Sequence, residues 1–222
     1  MIELKNISKA YGKINALENI NLHIRQQSIT GIIGKNGSGK STLIKVITGL
    51  ITDFSGQMIL QSDHIKIGLA SEGFDLPDYY AVRRILEIFK IQKGCSDADL
   101  KYWCERLELS KYLNSKISNL SHGNKQRLNI LISIIGNNEL IILDEPNNGL
   151  DPHGFILLRD IIRELKSGGT TVIIASHILN ELENVCDEIV FLHLGKKLLE
   201  TSTINVLNKY GSIESAFIDM LQ

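Results

Sequence analysis

The chain has 222 residues, 43% of them hydrophobic, and a formal net charge of −1. That length and apolar content suffice for one large α/β unit with a buried core, while the near-neutral charge argues against nucleic acid as a partner, since polyanion binders carry a basic excess. Cys95, Cys104 and Cys186 are odd in number and widely spaced, so they suggest neither a disulfide framework nor a zinc site and read as reduced packing thiols of a cytosolic protein. The amino terminus lacks a basic-then-apolar leader pattern, and no apolar run approaches the ~20 residues that cross a bilayer.

In chain order, Ile2, Leu4 and Ile7, then Ile20, Leu22 and Ile24, alternate as strands, and Ile29-Thr30-Gly31-Ile32-Ile33 reads as a buried strand. It runs into Gly34-Lys35-Asn36-Gly37-Ser38-Gly39-Lys40-Ser41-Thr42, after which Leu43, Ile44, Val46 and Ile47 supply the apolar positions of a helix. This is the setting of a nucleotide phosphate loop. Gly34, Gly37 and Gly39 let backbone amides turn inward around phosphate oxygens, Lys40 reaches the outer phosphates, and the Ser41 hydroxyl can ligate Mg²⁺. A chance Gly-rich turn is the alternative, and it leaves the strand and helix context unexplained.

Strands at 56–60 and 65–70 come next. From 77 to about 113 the period becomes helical, with Val82, Ile85, Leu86 and Phe89 on one face and Leu100, Trp103, Cys104 and Leu107 on another, which marks a helical insert. A helix from 121 to about 136, a strand at 140–143, a helix at 155–165 and a strand at 171–175 complete an alternation that implies parallel pairing with helices packed on the sheet. In the tail from Thr203, Ile213, Ala216, Phe217 and Met220 stand at helical spacing, either packing on the core or meeting a partner.

Two further strands end in reactive side chains. Leu140-Ile141-Ile142-Leu143 runs into Asp144-Glu145, and 171–175 runs into Ser176-His177. Ligands of open parallel sheets bind at the carboxyl edge, so these groups can converge with the phosphate loop on one nucleotide. Asp144 is placed to hold Mg²⁺ through water, Glu145 to orient or deprotonate an attacking water, and His177 to sense a γ-phosphate. Without the phosphate loop, the acidic pair would simply cap the turn before Pro146 and His177 would be a turn residue.

Leu120-Ser121-His122-Gly123-Asn124-Lys125-Gln126-Arg127 stands about where a Leu-Ser-Gly-Gly-Gln signature precedes the strand ending in the acidic pair. With the phosphate loop, that ordered set resembles the nucleotide-binding subunit of an ATP-binding cassette (ABC) transporter over nearly the whole chain. The resemblance implies a P-loop NTPase fold of ABC type: an α/β chain with a mostly parallel central sheet, an antiparallel N-terminal β-subdomain and a small α-helical subdomain. Residues 1–76 and 114–222 would form the core with the β-subdomain, and about 77–113 the helical subdomain that docks on a membrane partner.

It also implies ATP and Mg²⁺ as cofactors and Mg²⁺-dependent ATP hydrolysis coupled to transport, with export the expected direction. A second ABC subunit, identical or different, and an integral membrane permease would be the partners, with the chain cytoplasmic and peripheral on the inner face of the membrane. A soluble ABC ATPase acting on a soluble partner is the alternative. By this resemblance Tyr11 stacks on adenine, Ser121 and Gly123 bind the γ-phosphate held by a second subunit, and Asp151 lies in the loop that passes information between the two sites. Independently, Ser121 and Asp151 read as helix N-caps, and Tyr11 as a surface or core tyrosine.

Two positions depart from the family pattern. Glu72 stands where a glutamine usually links the core to the helical subdomain. A carboxylate can still approach Mg²⁺ but adds negative charge. In the signature, His122 and Asn124 replace a glycine and the glutamine, which would put a bulky ring where a phosphate is expected to approach. Similar second-position substitutions occur in compact exporters associated with bacitracin and lantibiotic resistance.

Overall fold

Two sheets of opposite character carry the chain. The computed structural model describes residues 1–222 except Asp63, Phe74 and Gln222. Strands β1 (Ile2–Tyr11), β2 (Ile14–Ile24) and β4 (Ser55–Leu60) form an antiparallel sheet in the order β2-β1-β4. The expected alternation is present, with Ile2, Leu4, Ile7, Ile20, Leu22 and Ile24 all buried.

The second sheet has the order β5-β6-β7-β3-β8-β9, built from β3 (Ile29–Ile33), β5 (Ile67–Ala70), β6 (Leu140–Asp144), β7 (Thr171–Ser176), β8 (Glu188–His193) and β9 (Lys196–Ser202). Its strands are parallel except for β9, which returns antiparallel beside β8. Every residue of β3, β6 and β7 is buried, as continuous apolar runs require when both faces are covered. Ile32, Ile142, Ile173 and Val190 face a core shared with α1 (Lys40–Ile47) and the antiparallel sheet. Ile33, Ile141, Val172 and Phe191 face the opposite core, with α4 (His122–Ile134) and α5 (Pro152–Ser167).

The helical insert consists of α2 (Val82–Lys93) and α3 (Asp97–Arg106), and Val82, Ile85, Leu86, Cys104 and Leu107 join that second core. Ile88 and Ile91 stay exposed. After β7 come α6 (Leu179–Glu183), the β8–β9 pair, α7 (Thr203–Tyr210) and α8 (Ile213–Asp219). Ile213, Ala216 and Phe217 are buried, and the Phe217 ring stacks on Phe191 with centroids 5.8 Å apart. Of the two readings of the tail, packing on the core is the one observed.

The sequence reading places no strand after Ala175, whereas β8 and β9 complete the sheet. Their hairpin turns at Leu194 and Gly195, both with positive φ (46° and 77°), a two-residue turn of the kind that favours Asn-Gly. A leucine at the first of these positions hides the turn from sequence inspection.

Candidate active site

Three strand ends lie side by side. In the parallel register Asp144 pairs with Ala175 and Ile33 with Ser176, so the acidic pair, His177 and the phosphate loop leave the sheet at one edge. The loop is folded so tightly that two of its glycines have no substitute. A Cβ on Gly34 would lie 2.2 Å from Ser38 Oγ and 2.6 Å from the Leu192 carbonyl, and one on Gly39, at φ 106°, would lie 2.6 Å from the Ala16 carbonyl. Gly195 of the β8–β9 turn donates to the Ser38 carbonyl (3.0 Å) and accepts from the Glu18 amide (2.8 Å), so the hairpin buttresses the loop. Sequence reading misses this support, because the turn itself is hidden.

Helix α1 begins at Lys40 with no acidic residue in its first turn and no side-chain cap, leaving its free amides for an anion. A cleft of about 450 Å³ opens over it, lined by Tyr11, Ile14, Lys35 to Thr42, Glu72 and Glu145. Tyr11 is half exposed at the end of β1.

Glu145 sits at the centre of the charged groups. It is 5% exposed and held at φ 49°, a left-handed conformation that a glutamate adopts only under constraint. Its amide donates to the Ala175 carbonyl (2.8 Å) and its carbonyl accepts from the Asn148 amide (3.2 Å). Lys40 Nζ stands 3.2 Å from Glu145 Oε1, both groups buried, and donates to the Gly34 carbonyl at 2.7 Å. The Lys40–Glu145 contact is an ion pair without hydrogen-bond alignment, so Oε1 keeps an unsatisfied acceptor. Glu145 Oε2 accepts from His177 Nδ1 at 2.8 Å and lies 3.3 Å from the His177 amide. An ionised carboxylate only accepts, so the imidazole carries its proton on Nδ1 in this contact.

Asp144 is 6% exposed and its Oδ1 has no partner. Burial is the main cause raising its pKa, opposed by a hydrogen bond from the Ser41 hydroxyl. A buried, unpartnered carboxylate oxygen beside a hydroxyl is an oxygen donor set that suits Mg²⁺. Among the described residues no group of three or more His, Cys, Asp or Glu could hold a metal by itself. Glu72 lines the cleft, with Oε1 accepting from Asn148 Nδ2 at 3.1 Å.

Ser121, Gly123 and Asp151 belong elsewhere. They line a second cleft of about 540 Å³ that shares no lining residue with the first. Ser121 caps α4, its hydroxyl accepting from the Asn124 amide at 3.3 Å, and Asp151 caps α5, accepting from the Gly154 amide at 2.8 Å. Both N-cap readings are therefore met. The His122 ring packs against the loop before α5: a Cβ on Gly149 would fall 1.7 Å from His122 Nδ1. A Cβ on Gly123 would meet the Gly149 carbonyl at 2.7 Å, so this glycine is required by the close approach of the same loop.

Around this cleft lies a charged cluster that sequence reading misses. Glu108 Oε2 pairs with Arg127, Glu108 Oε1 with His153 Nε2 at 2.9 Å, and Arg127 Nη2 stands 3.6 Å from Asp151. His153 and then Arg127 hold the Glu108 carboxyl down at about 2. The members of the cluster come from three separate stretches of the chain, and of them Arg127 and Asp151 stand in recognisable motifs while Glu108 and His153 do not.

The sequence profile describing ABC transporters matches residues 17–148. The chain belongs to the ABC transporter family. It is 38% identical over 206 residues to the lantibiotic transport ATP-binding protein SrtF of Streptococcus pyogenes, covering 90% of both chains. To the bacitracin transport ATP-binding protein BcrA of Enterococcus faecalis it is 33% identical, over 94% of this chain and 71% of the other. A solved ATP-binding subunit of an ABC transporter superposes over the full length of both chains with a TM-score of 0.90 at 25% identity. The dimeric cassette MJ0796 gives 0.81 at 27% identity, over 91% of this chain and 99% of that one.

This ABC subunit thus presents two separate clefts, one lined by the phosphate loop and Glu145, the other by the first turn of α4 and the loop before α5. No helix among the described residues is long and apolar enough to cross a membrane.

Proposed function

We propose that the chain hydrolyses ATP as one of a pair of ABC subunits and that the cycle drives export through a separate membrane-spanning permease, to which it binds on the cytoplasmic face. The observation that carries the catalytic part is the convergence of Lys40 and His177 on the buried Glu145 carboxylate beside the phosphate loop. The transport part is supported by the relatives named for lantibiotic and bacitracin transport.

The phosphate-loop amides, the open end of α1 and Lys40 hold the polyphosphate, with the base on Tyr11. Mg²⁺, held by Ser41 and Asp144 with Glu72 within reach of the cleft, would neutralise charge developing on the phosphate oxygens. Glu145 accepts a proton from the attacking water, and His177 fixes the orientation of that carboxylate through Nδ1. Without nucleotide, Lys40 neutralises Glu145. With nucleotide, the ammonium turns to phosphate and releases Oε1 for water. Ser121 and Gly123 of the second subunit bring the amides of their helix to the outer phosphate, and Asp151 lies where the two subunits exchange information. The separation of the two clefts within one chain supports this division of labour.

Phosphate release from ATP by the purified chain with Mg²⁺ tests the proposal. We expect turnover that disappears in Lys40→Ala. Wild-type release no higher than in that variant, with ATP still bound, would make the chain a nucleotide-binding scaffold.

A further inference from the structure

Lys9 is an unusual residue for its place. It lies on β1 two residues before Tyr11, and its side chain is 6% exposed. Burying an ammonium is costly unless partners compensate it, and an aliphatic side chain would fill the position without that cost. Its Nζ donates to the Asp53 carbonyl at 2.8 Å and to Asp53 Oδ2 at 2.5 Å. The same Nζ stands 5.0 Å from the centroid of the Tyr11 ring, within the range of a cation–π contact. Asp53 approaches from the surface, with a side chain 83% exposed, so it anchors the lysine from outside while the ring covers it from the cleft side.

We infer that Lys9 is a positioning residue for the nucleotide base: held by Asp53 against one face of Tyr11, it fixes the ring and draws π-electron density toward itself, leaving the other face to stack on an electron-rich purine. The inference rests on the reading of Tyr11 as the base-stacking residue. An aromatic ring polarised from one side presents a less negative opposite face, which lowers its repulsion with the π cloud of a purine. Ile14, paired with Tyr11 across the β1–β2 turn and largely exposed in the same cleft, offers apolar contact at the base edge. Lys9 acts through Tyr11 and touches neither phosphate nor the reacting water.

Equilibrium binding of ATP and of inorganic tripolyphosphate, a ligand with phosphates and no base, separates this role from a general one. Lys9→Met is expected to weaken ATP binding about 3- to 10-fold, the scale of a partly desolvated cation–π contact, and to leave tripolyphosphate binding within about twofold of wild type. Lys9→Arg, which keeps the cation, restores ATP affinity. On a Tyr11→Ala background Lys9→Met adds nothing. Unchanged ATP affinity in Lys9→Met, equal weakening of both ligands, or an undiminished effect without the Tyr11 ring would overturn the inference. Should Lys9→Met not fold, Asp53→Asn on the exposed partner loosens the same anchor, and an ATP-selective loss of about twofold is expected from it; no selectivity there has the same adverse meaning. Tyr11→Ala alone reports on the underlying reading: if it binds ATP like wild type, base stacking on Tyr11 falls, whereas a loss there with no effect of Lys9→Met removes only the role of Lys9.

Discussion

Replacing Glu145 by Gln changes one charge and almost no volume, which makes it the sharpest probe of the catalytic arrangement. The side chain is buried, so packing is preserved, and the amide oxygen can still accept from His177 Nδ1, which lies 2.8 Å from Oε2 in the wild type. What disappears is the negative charge. A positioned general base contributes roughly 10²- to 10⁴-fold, or about 2.7–5.5 kcal/mol of activation free energy, and phosphate release should fall by that factor. Nucleotide affinity should move the other way. At the 3.2 Å separation of Lys40 Nζ and Glu145 Oε1, unit charges attract by about 5 kcal/mol at an effective dielectric of ~20, and desolvation of the pair offsets much of that. Binding no longer has to break this pair, so the variant should bind ATP at least as tightly as wild type, by up to about tenfold more. Single-turnover phosphate release and equilibrium titration with a fluorescent ATP analogue measure the two quantities. Near-normal turnover would move the general base away from Glu145. A loss of ATP affinity beyond about tenfold would contradict the picture of Lys40 shared between Glu145 and phosphate.

Lys40→Ala should abolish tight ATP binding in the same titration, and it should also lower the unfolding midpoint, because the buried Glu145 loses its counter-charge; wild-type affinity would count against the phosphate-loop assignment. His122→Gly should raise turnover, since the ring wedged against Gly149 restrains the loop that leads to Asp151, and unchanged or lower phosphate release would refute a restraining role. Glu108→Gln should remove an acid-dependent part of stability. The native carboxyl titrates at about 2 and the unfolded one near its ordinary 4.5, so its contribution is present above about 4.5 and is lost as pH falls toward 2. Thermal unfolding from pH 7 to pH 3 should therefore bring wild type and variant together on acidification, and a constant gap would assign the difference to packing alone.

Much of the site is legible in the sequence because its parts sit at strand ends. The apolar runs 29–33, 140–143 and 171–175 are continuous enough to read as buried parallel strands, and the residues just beyond each run reach one sheet edge. The glycines at 34 and 39 announce a backbone that admits no Cβ, which the contacts with Ser38, Leu192 and Ala16 explain. Other features depend on groups far apart in the chain. Pairing of Lys40 with Glu145, of Glu72 with Asn148, and of Glu108 with Arg127 and His153 is fixed by packing of separate elements, and no local pattern encodes it. The direction of the His122 ring is set by the open space over Gly149, so the substitution is visible in the sequence while its contact is not. Strands β8 and β9 are hard to read because a leucine occupies a left-handed turn position normally signalled by Asn or Gly.

Under the proposed function, this subunit works through a membrane-spanning partner. Gentle detergent extraction of membranes from cells carrying the tagged chain, with identification of the chains that co-purify in fixed proportion, tests this most directly. A polytopic membrane protein in constant stoichiometry with an ABC subunit pair is the expected result. Recovery solely from the soluble fraction, bound to a soluble protein, would contradict the transport assignment while leaving the chemistry of Lys40, Glu145 and His177 to be judged by turnover.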